Sequence, residues 1–419
     1  MIEFQGKSFL IADPIHGGDI LSRHLDSIDV PNETYNPYNC EELDLKGFDY
    51  LAAPVHLSPD FPVIKESKKS SRIEIVNHHD LTRAIALKKG YTEGIKVIEI
   101  TGTYGKTTTS FLLKETLDKE KKDTLINNSL GIFYNGESLR KNSSITPAFI
   151  LEVFDGFITN EIDVDYFISE VSLGVTGIGD PLVLTSTDND YEIAGDNKKA
   201  SDVKIRSFKR FNEKLKIILD QSTKIGSMGL SNFDVNSKGN NLIEVGYELN
   251  KFGLKRKGRI SFRNRFFSLF RESILSFILV ALSLGIKEET ILEVIENFNG
   301  FKGRFNRKKL NGRQYLDNSS SGIEIEDLRR IIDFEFEGTE LENTVLVIGE
   351  NDRNICEDLD YGKTNRILKE YSFKDIVTVG NRFKDLSRHN VKDLSEGLNV
   401  AQELAEPQEK IIGFVKCRR

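Results

Sequence analysis

Residues 98–109 read IEITGTYGKTTT. The apolar, β-branched run at 95–100 has the length of a buried strand, and residues 107–117 place apolar side chains at helical spacing. Glycines at 102 and 105 turn the chain between them. Small residues at such a junction let backbone N–H groups converge on an anion at the start of the helix. Lys106 then reaches the outer phosphate oxygens, and Thr107 offers its hydroxyl to Mg²⁺. Gly102, Thr103, Gly105 and Thr108 complete the phosphate-binding set. Ile100 stands where the strict eight-residue phosphate-loop pattern has its first glycine, so the general motif is not met. On these residues alone, a glycine-turned loop with an exposed lysine stays open beside phosphate binding.

Outward from this loop the same alternation continues. Apolar runs at 8–12 and 50–55, each followed by Pro or Gly, indicate a small α/β unit in the first ninety or so residues. Strands are expected at 166–171 and 182–185 and a helix at 272–284. After residue 301 the pattern restarts, with strands at 344–348, 375–379 and 410–415 separated by helical stretches. The expected fold class is α/β, with a central phosphate-loop domain whose largely parallel sheet is covered by helices. The expected domains are 1–92, 93–300 and 301–419, which suits a chain of 419 residues, beyond the size at which one core keeps growing.

Composition removes several function classes. The net charge of −7 is spread over interspersed acids and bases, so no nucleic-acid footprint is expected. The strongly apolar stretch at 274–286 is short of the roughly 20 residues that span a bilayer, and the N-terminus has no basic-then-apolar leader pattern. A cytoplasmic protein with no membrane partner is expected. Cys40, Cys356 and Cys417 are far apart and outside any paired metal spacing, which disfavours a disulfide framework or zinc site.

TGTYGKTTT closely resembles the TGTNGKTTT loop of the Mur ligase family, whose members join a carboxylate to an amine through an acyl phosphate while converting ATP to ADP. Further segments follow in that family's order over roughly residues 95–380. In FISEVSLGVTG, Glu170 ends a predicted strand and corresponds to the family's Mg²⁺-binding glutamate. In LVLTSTDNDYEIAGDNKKASDVKIRSF, Lys204 matches the lysine the family carbamylates, but Tyr191 stands where a histidine is usual, which puts the second metal in doubt. The resemblance makes Lys106, Glu170 and Lys204 the catalytic set. In GFKGRF, Arg304 matches an arginine that clamps nucleotide phosphates. Asp317 and Asn318 of YLDNSSSG match the place near the nucleotide ribose. Each position also has a plainer reading, as a solvated strand-end acid, a surface lysine or a polar turn.

The first domain carries five of the six histidines: His16, His24, His56, His78 and His79. His16 in LIADPIHGGDIL and His56 in YLAAPVHLSPDF lie just past apolar runs, where open α/β sheets gather ligand contacts. His78 and His79 in IVNHHDLTRA are expected at a helix start. Singly, each is more often structural; as a group, His16, Gly17, Gly18, His56, His78 and His79 are the substrate-binding candidates. HGGDIL, APVHLSPDFP, the paired histidines, DNDYEIAGDNKKASDVK and GENDRNICEDLD resemble the coenzyme F-430 synthetase branch of the Mur ligase family. The resemblance implies ATP and Mg²⁺ as cofactors, and a nickel tetrapyrrole acid as small-molecule partner, the nickel belonging to that substrate. It implies activation of a propionate as an acyl phosphate, followed by carbocyclic ring closure. The end at EKIIGFVKCRR, short beside amino-acid-adding relatives, is expected to leave little room for a second substrate. The rivals are a Mur-type peptide ligase, against which Tyr191 also speaks, and a phosphate-loop regulatory protein, which has no use for Lys204 or a Gly303-Arg304 hinge.

Overall fold

Strand β1 (Phe9–Ala12) is buried along its whole length. Side chains alternate across a strand, so Phe9 and Ile11 enter one core cluster while Leu10 and Ala12 enter another. Both faces are therefore covered, as parallel sheets require. β1 pairs in parallel with β2 (Asn32–Tyr35) and β3 (Tyr50–Ala53), and β3 with β4 (Glu74–Asn77), in the order β2-β1-β3-β4. Helices α1 (Gly18–Asp26) and α3 (His78–Lys88) supply Leu21, Leu25, Leu81 and Ile85 to the first cluster, and α2 (Pro62–Lys69) supplies Val63 and Ile64 to the second.

The computed structural model describes residues 2–39, 44–141, 143–188, 190–219, 228–239, 241–250, 253–300, 305–320, 323–336, 338–351 and 359–417. It divides into two compact units, Met1–Asn264 with Phe270–Glu296, and Arg265–Leu269 with Asn297–Arg419.

The first unit continues with β5 (Lys96–Thr101), α4 (Lys106–Lys119), β6 (Thr124–Asn128), β7 (Gly131–Tyr134), β8 (Glu137–Lys141), α5 (Phe149–Thr159), β9 (Tyr166–Glu170) and β10 (Leu182–Leu184). A short hairpin of β11 (Glu192–Ile193) and β12 (Lys198–Lys199) leads into α6 (Ala200–Phe208) and β13 (Lys216–Ile218). These build a seven-stranded sheet, β13-β10-β5-β9-β6-β7-β8, parallel from β13 to β6 and antiparallel at its β7 and β8 edge. An antiparallel sheet of β14 (Phe233–Lys238), β15 (Leu242–Leu249) and β16 (Arg256–Arg263) follows, then α7 (Arg271–Ser283) and α8 (Glu288–Asn297). Helix α7 is buried from Ser273 to Leu282, consistent with its being apolar on all sides.

The second unit holds β17 (Asn306–Leu310), β18 (Arg313–Asp317), α9 (Ile325–Glu335), β19 (Thr344–Glu350), α10 (Tyr361–Glu370), β20 (Asp375–Val379), β21 (His389–Val391), α11 (Leu394–Leu404) and β22 (Lys410–Lys416). Its six-stranded sheet, β17-β18-β22-β19-β20-β21, is parallel except for the β17–β18 hairpin. The expected α/β class is the observed one. Among the described residues, no helix is long and apolar enough to cross a membrane.

Candidate active site

The phosphate loop joins the C-terminal end of β5 to α4, as the strand-loop-helix reading expects. Gly102 (φ 152°) and Gly105 (φ 85°) lie in the region that side chains rarely enter. A Cβ on Gly102 would collide with Thr185 Oγ1 and stand 3.1 Å from Ser186 N; one on Gly105 would stand 2.8 Å from Ser273 Oγ. The loop is thus clamped between the end of β10 and the start of α7. Thr185 Oγ1 donates toward the carbonyls of Tyr104 (2.5 Å) and Thr101 (3.2 Å), and Thr103 N donates to Ser186 O (2.9 Å). Lys106 Nζ folds over the loop onto Gly102 O at 2.9 Å. Thr103 Oγ1 is buried with no hydrogen-bond partner among the described residues. A cradle closed to any Cβ, with an orphaned hydroxyl and an amine above it, fits a phosphate group.

Thr107 and Glu170 meet through Ser110. Ser110 Oγ lies 2.9 Å from Thr107 O and 3.4 Å from Glu170 Oε1, and Thr107 Oγ1 is 3.4 Å from Ser129 Oγ. Thr107, Thr108 and Glu170 are all buried. A buried carboxylate and a hydroxyl are hard oxygen donors of the kind Mg²⁺ takes. Lys204, on α6, is buried as well; its Nζ lies 3.2 Å from Tyr191 Oη and 4.8 Å from the centre of that ring. Tyr191 is held by the β11–β12 hairpin, with Ala200 N donating to Tyr191 O (2.9 Å). The position that departs from the family pattern therefore touches the one that keeps it.

The histidines of the first sheet separate into two kinds. His78 Nε2 donates to Ala12 O (3.0 Å) and His79 Nε2 to Ser172 O (2.9 Å), because a carbonyl only accepts. Burial pushes His78 down to about 3 and His79 to about 4, outweighing the nearby acids and carbonyls. Both are neutral side chains turned inward. His16 and His56 instead converge on Asp13, a residue the sequence reading passed over. Asp13 has φ 65° and no exposed surface. His16 Nδ1 lies 2.9 and 2.8 Å from its two oxygens, His56 Nε2 3.2 Å and Tyr38 Oη 3.0 Å from Oδ2. Burial raises the Asp13 carboxyl, but these donors outweigh it and hold it well below the usual carboxylate range. The bond to Asp13 raises His16 against the opposing effect of its own burial. Gly17 and Gly18 form the turn into α1, where a Cβ would stand 2.9 Å from Ala148 Cβ and 2.7 Å from Asp13 O respectively. The signal that could have found Asp13 is its place, a carboxylate after a buried strand and three residues before a histidine.

In the second unit, Asp317 ends β18, fully buried, with Lys308 Nζ at 3.1 Å. Asn318 Oδ1 accepts from Phe305 N (3.0 Å). Arg304 and Gly303 lie outside the described residues.

Residues 307–417 match the family described as Coenzyme F430 synthetase CfbE, C-terminal domain. The Coenzyme F(430) synthetase of Methanosarcina acetivorans is 30% identical over 413 residues, covering 90% of this chain and 87% of that protein. That of Methanocaldococcus jannaschii is 27% identical over 385 residues, covering 88% and 84%. Among solved structures, the ligand-free bifunctional folylpolyglutamate synthase/dihydrofolate synthase of Yersinia pestis superposes with a TM-score of 0.61 at 14% identity, over 81% of this chain and 92% of that one. The UDP-N-acetylmuramate-alanine ligase of Thermotoga maritima gives 0.52 at 17%, over 98% and 95%. Fold and phosphate loop together define an ATP-dependent ligase built on the Mur ligase-like fold. Within that class, the chain belongs to the coenzyme F(430) synthetase family.

Proposed function

We propose that the chain activates a propionate carboxylate of an open-ring nickel tetrapyrrole acid as an acyl phosphate and then closes a carbocyclic ring on it, yielding coenzyme F430, ADP and phosphate. The observation that carries the ATP half is the cradle at Gly102 and Gly105, which excludes any side chain and sits beneath Lys106. The substrate half is supported by the names of the two relatives. In this reading residues 1–92 hold the tetrapyrrole in the cytoplasm, 93–300 hold ATP, and 301–419 form the C-terminal α/β domain.

The chain's own groups then have distinct tasks. Backbone N–H groups of the loop, the Thr103 and Thr108 hydroxyls and Lys106 hold the phosphates and offset the charge that builds as the carboxylate attacks the γ-phosphate. Arg304 adds a bidentate clamp on the phosphate oxygens, and Asp317 and Asn318 address the ribose. Thr107 and Glu170 fit Mg²⁺, which when bound neutralises phosphate charge. Lys204, carbamylated, supplies an anion beside Tyr191. His16, Gly17, Gly18, His56, His78 and His79 shape the tetrapyrrole side. An internal nucleophile needs no second substrate, since it arrives within the bound molecule.

The test is incubation of the purified chain with ATP, Mg²⁺ and the open-ring nickel tetrapyrrole acid. Ring-closed product with matching ADP is expected. If neither forms, the reading fails; ADP release that requires an amino acid acceptor would make the chain a peptide ligase instead.

A further inference from the structure

Ring closure by carbon onto an acyl phosphate leaves one proton to be removed. The C–H electron pair of the attacking carbon becomes the new C–C bond, the acyl C–O bond breaks with its pair leaving on phosphate, and the proton must go to a base. We infer that His16 Nε2 is that base, held in place by Asp13; the assignment rests on the ring-closing function proposed above.

Topology gives the first argument. From β1 the chain moves to β2 on one side and later returns to β3 on the other, so the strand order reverses between β1 and β3. Open α/β sheets bind ligands outside the carboxyl ends of strands at such a reversal. Asp13 and His16 follow β1, and His56 follows β3. This edge is tied to the phosphate loop within one unit: His79 bonds Ser172 O, and two residues on Gly174 N donates to Thr101 Oγ1 (3.3 Å), next to Gly102.

Proton location gives the second. An ionised carboxylate only accepts, so His16 Nδ1 carries the hydrogen shared with Asp13, which leaves the lone pair of the neutral ring on Nε2. The same division of labour operates wherever a buried aspartate orients a catalytic histidine. The His16 side chain is 38% exposed, whereas Asp13 is fully buried. His56 makes one longer bond to the same carboxylate. Asp13, His16 and His56 are also near enough to one another to hold a metal ion. Against that use, the Asp13 oxygens already accept from the His16 amide and ring, His56 and Tyr38, which leaves the carboxylate satisfied as it stands.

The full chain carrying His16→Gln, and separately Asp13→Asn, would be assayed with ATP, Mg²⁺ and the open-ring nickel tetrapyrrole acid. ADP, ring-closed product and acyl hydroxamate trapped by hydroxylamine are all followed. For His16→Gln, product formation falls roughly 10²- to 10⁴-fold, the range for a general base. ADP release in hydroxylamine falls far less than ring closure does, so acyl hydroxamate accumulates, and added imidazole restores part of the ring closure. In the wild type, single-turnover ring closure rises with pH through the raised His16 value, with Asp13, Tyr38 and His56 facing the ring; Asp13→Asn moves that limb to lower pH. Wild-type product rates in His16→Gln, or a wild-type closure step flat from pH 6 to 9, overturn the assignment alone. So does parallel loss of ADP and product with a raised KM, which marks a binding residue. Stoichiometric Zn²⁺ retention that His16→Gln abolishes also overturns it. No ADP and no product from the wild type would bring down the functional reading and this assignment with it.

Discussion

Substituting Gly102 by alanine should damage the phosphate cradle by an amount its geometry sets. At φ 152° an alanine is strained by about 1–3 kcal/mol. Its Cβ would overlap Thr185 Oγ1, and Ser186 N and O at 3.1 and 3.2 Å block retreat because they are backbone. Thr185 must therefore rotate, giving up the hydroxyl bond toward Tyr104 O, worth about 1 kcal/mol. Together the cost is about 2–4 kcal/mol, or a fall in Tm of roughly 3–7 °C for a unit of this size. Differential scanning calorimetry of the first transition reads the stability, and titration with a non-hydrolysable ATP analogue reads the cradle, where affinity should fall at least tenfold. The Gly102→Ala/Thr185→Ala double variant removes the overlapping oxygen and should recover about 1 kcal/mol relative to additive single changes. A Gly102→Ala protein with wild-type Tm and nucleotide affinity would refute the clamp.

Acidification from pH 7.5 to 5.5 should lower the unfolding free energy by about 2–3 kcal/mol, because His78 and His79 stay neutral in the fold down to about 3 and 4 while the unfolded chain takes up protons below pH 6.5. Their contribution is full above pH 6.5 and is lost as pH falls toward those values, with the raised His16 offsetting part of it; urea melts of equal free energy at both pH values would contradict the burial argument. Lys106→Ala should cut the rate of ADP formation by about 10²-fold or more, the cost of removing a charge-stabilising donor, and full activity would remove the lysine from the cradle. Lys204→Ala should lose about 10- to 100-fold in turnover and regain part of it with added short-chain carboxylate, which can stand in for a carbamate; undiminished turnover would sink that role. Tyr191→Phe removes the hydroxyl 3.2 Å from Lys204 Nζ but keeps the ring, so a destabilisation of about 1–2 kcal/mol in chemical denaturation is expected.

The elements legible in the sequence are those whose physics is local. β5, β9, β10, β19, β20 and β22 are predominantly apolar runs, as suits parallel strands covered on both faces, and each begins within a residue of where its pattern does. The glycines of the loop are equally local, marking the switch from strand to helix period. Strands β14 to β16 escaped notice because one face meets water, so Lys, Arg and Glu interrupt the run. Asp13 was out of reach for another reason. A buried charge is tolerated only through its partners, and Tyr38 and His56 stand 25 and 43 positions away. The four histidines at this sheet edge are alike in sequence; the fold turns two inward to carbonyl groups and two to a carboxylate.

The shared core of the first unit limits how such an enzyme can be rebuilt. Phe9, Ile11 and Leu21 belong to the same buried cluster as Phe149, Phe154 and Phe167. A chimaera that exchanges residues 1–92 for the corresponding segment of another ligase would therefore bring a foreign set of side chains against α5 and β9. Changing the substrate by recombination means transplanting those contacts along with the pocket, so new specificities in this scaffold arise more readily from strand-end loops than from exchanged modules.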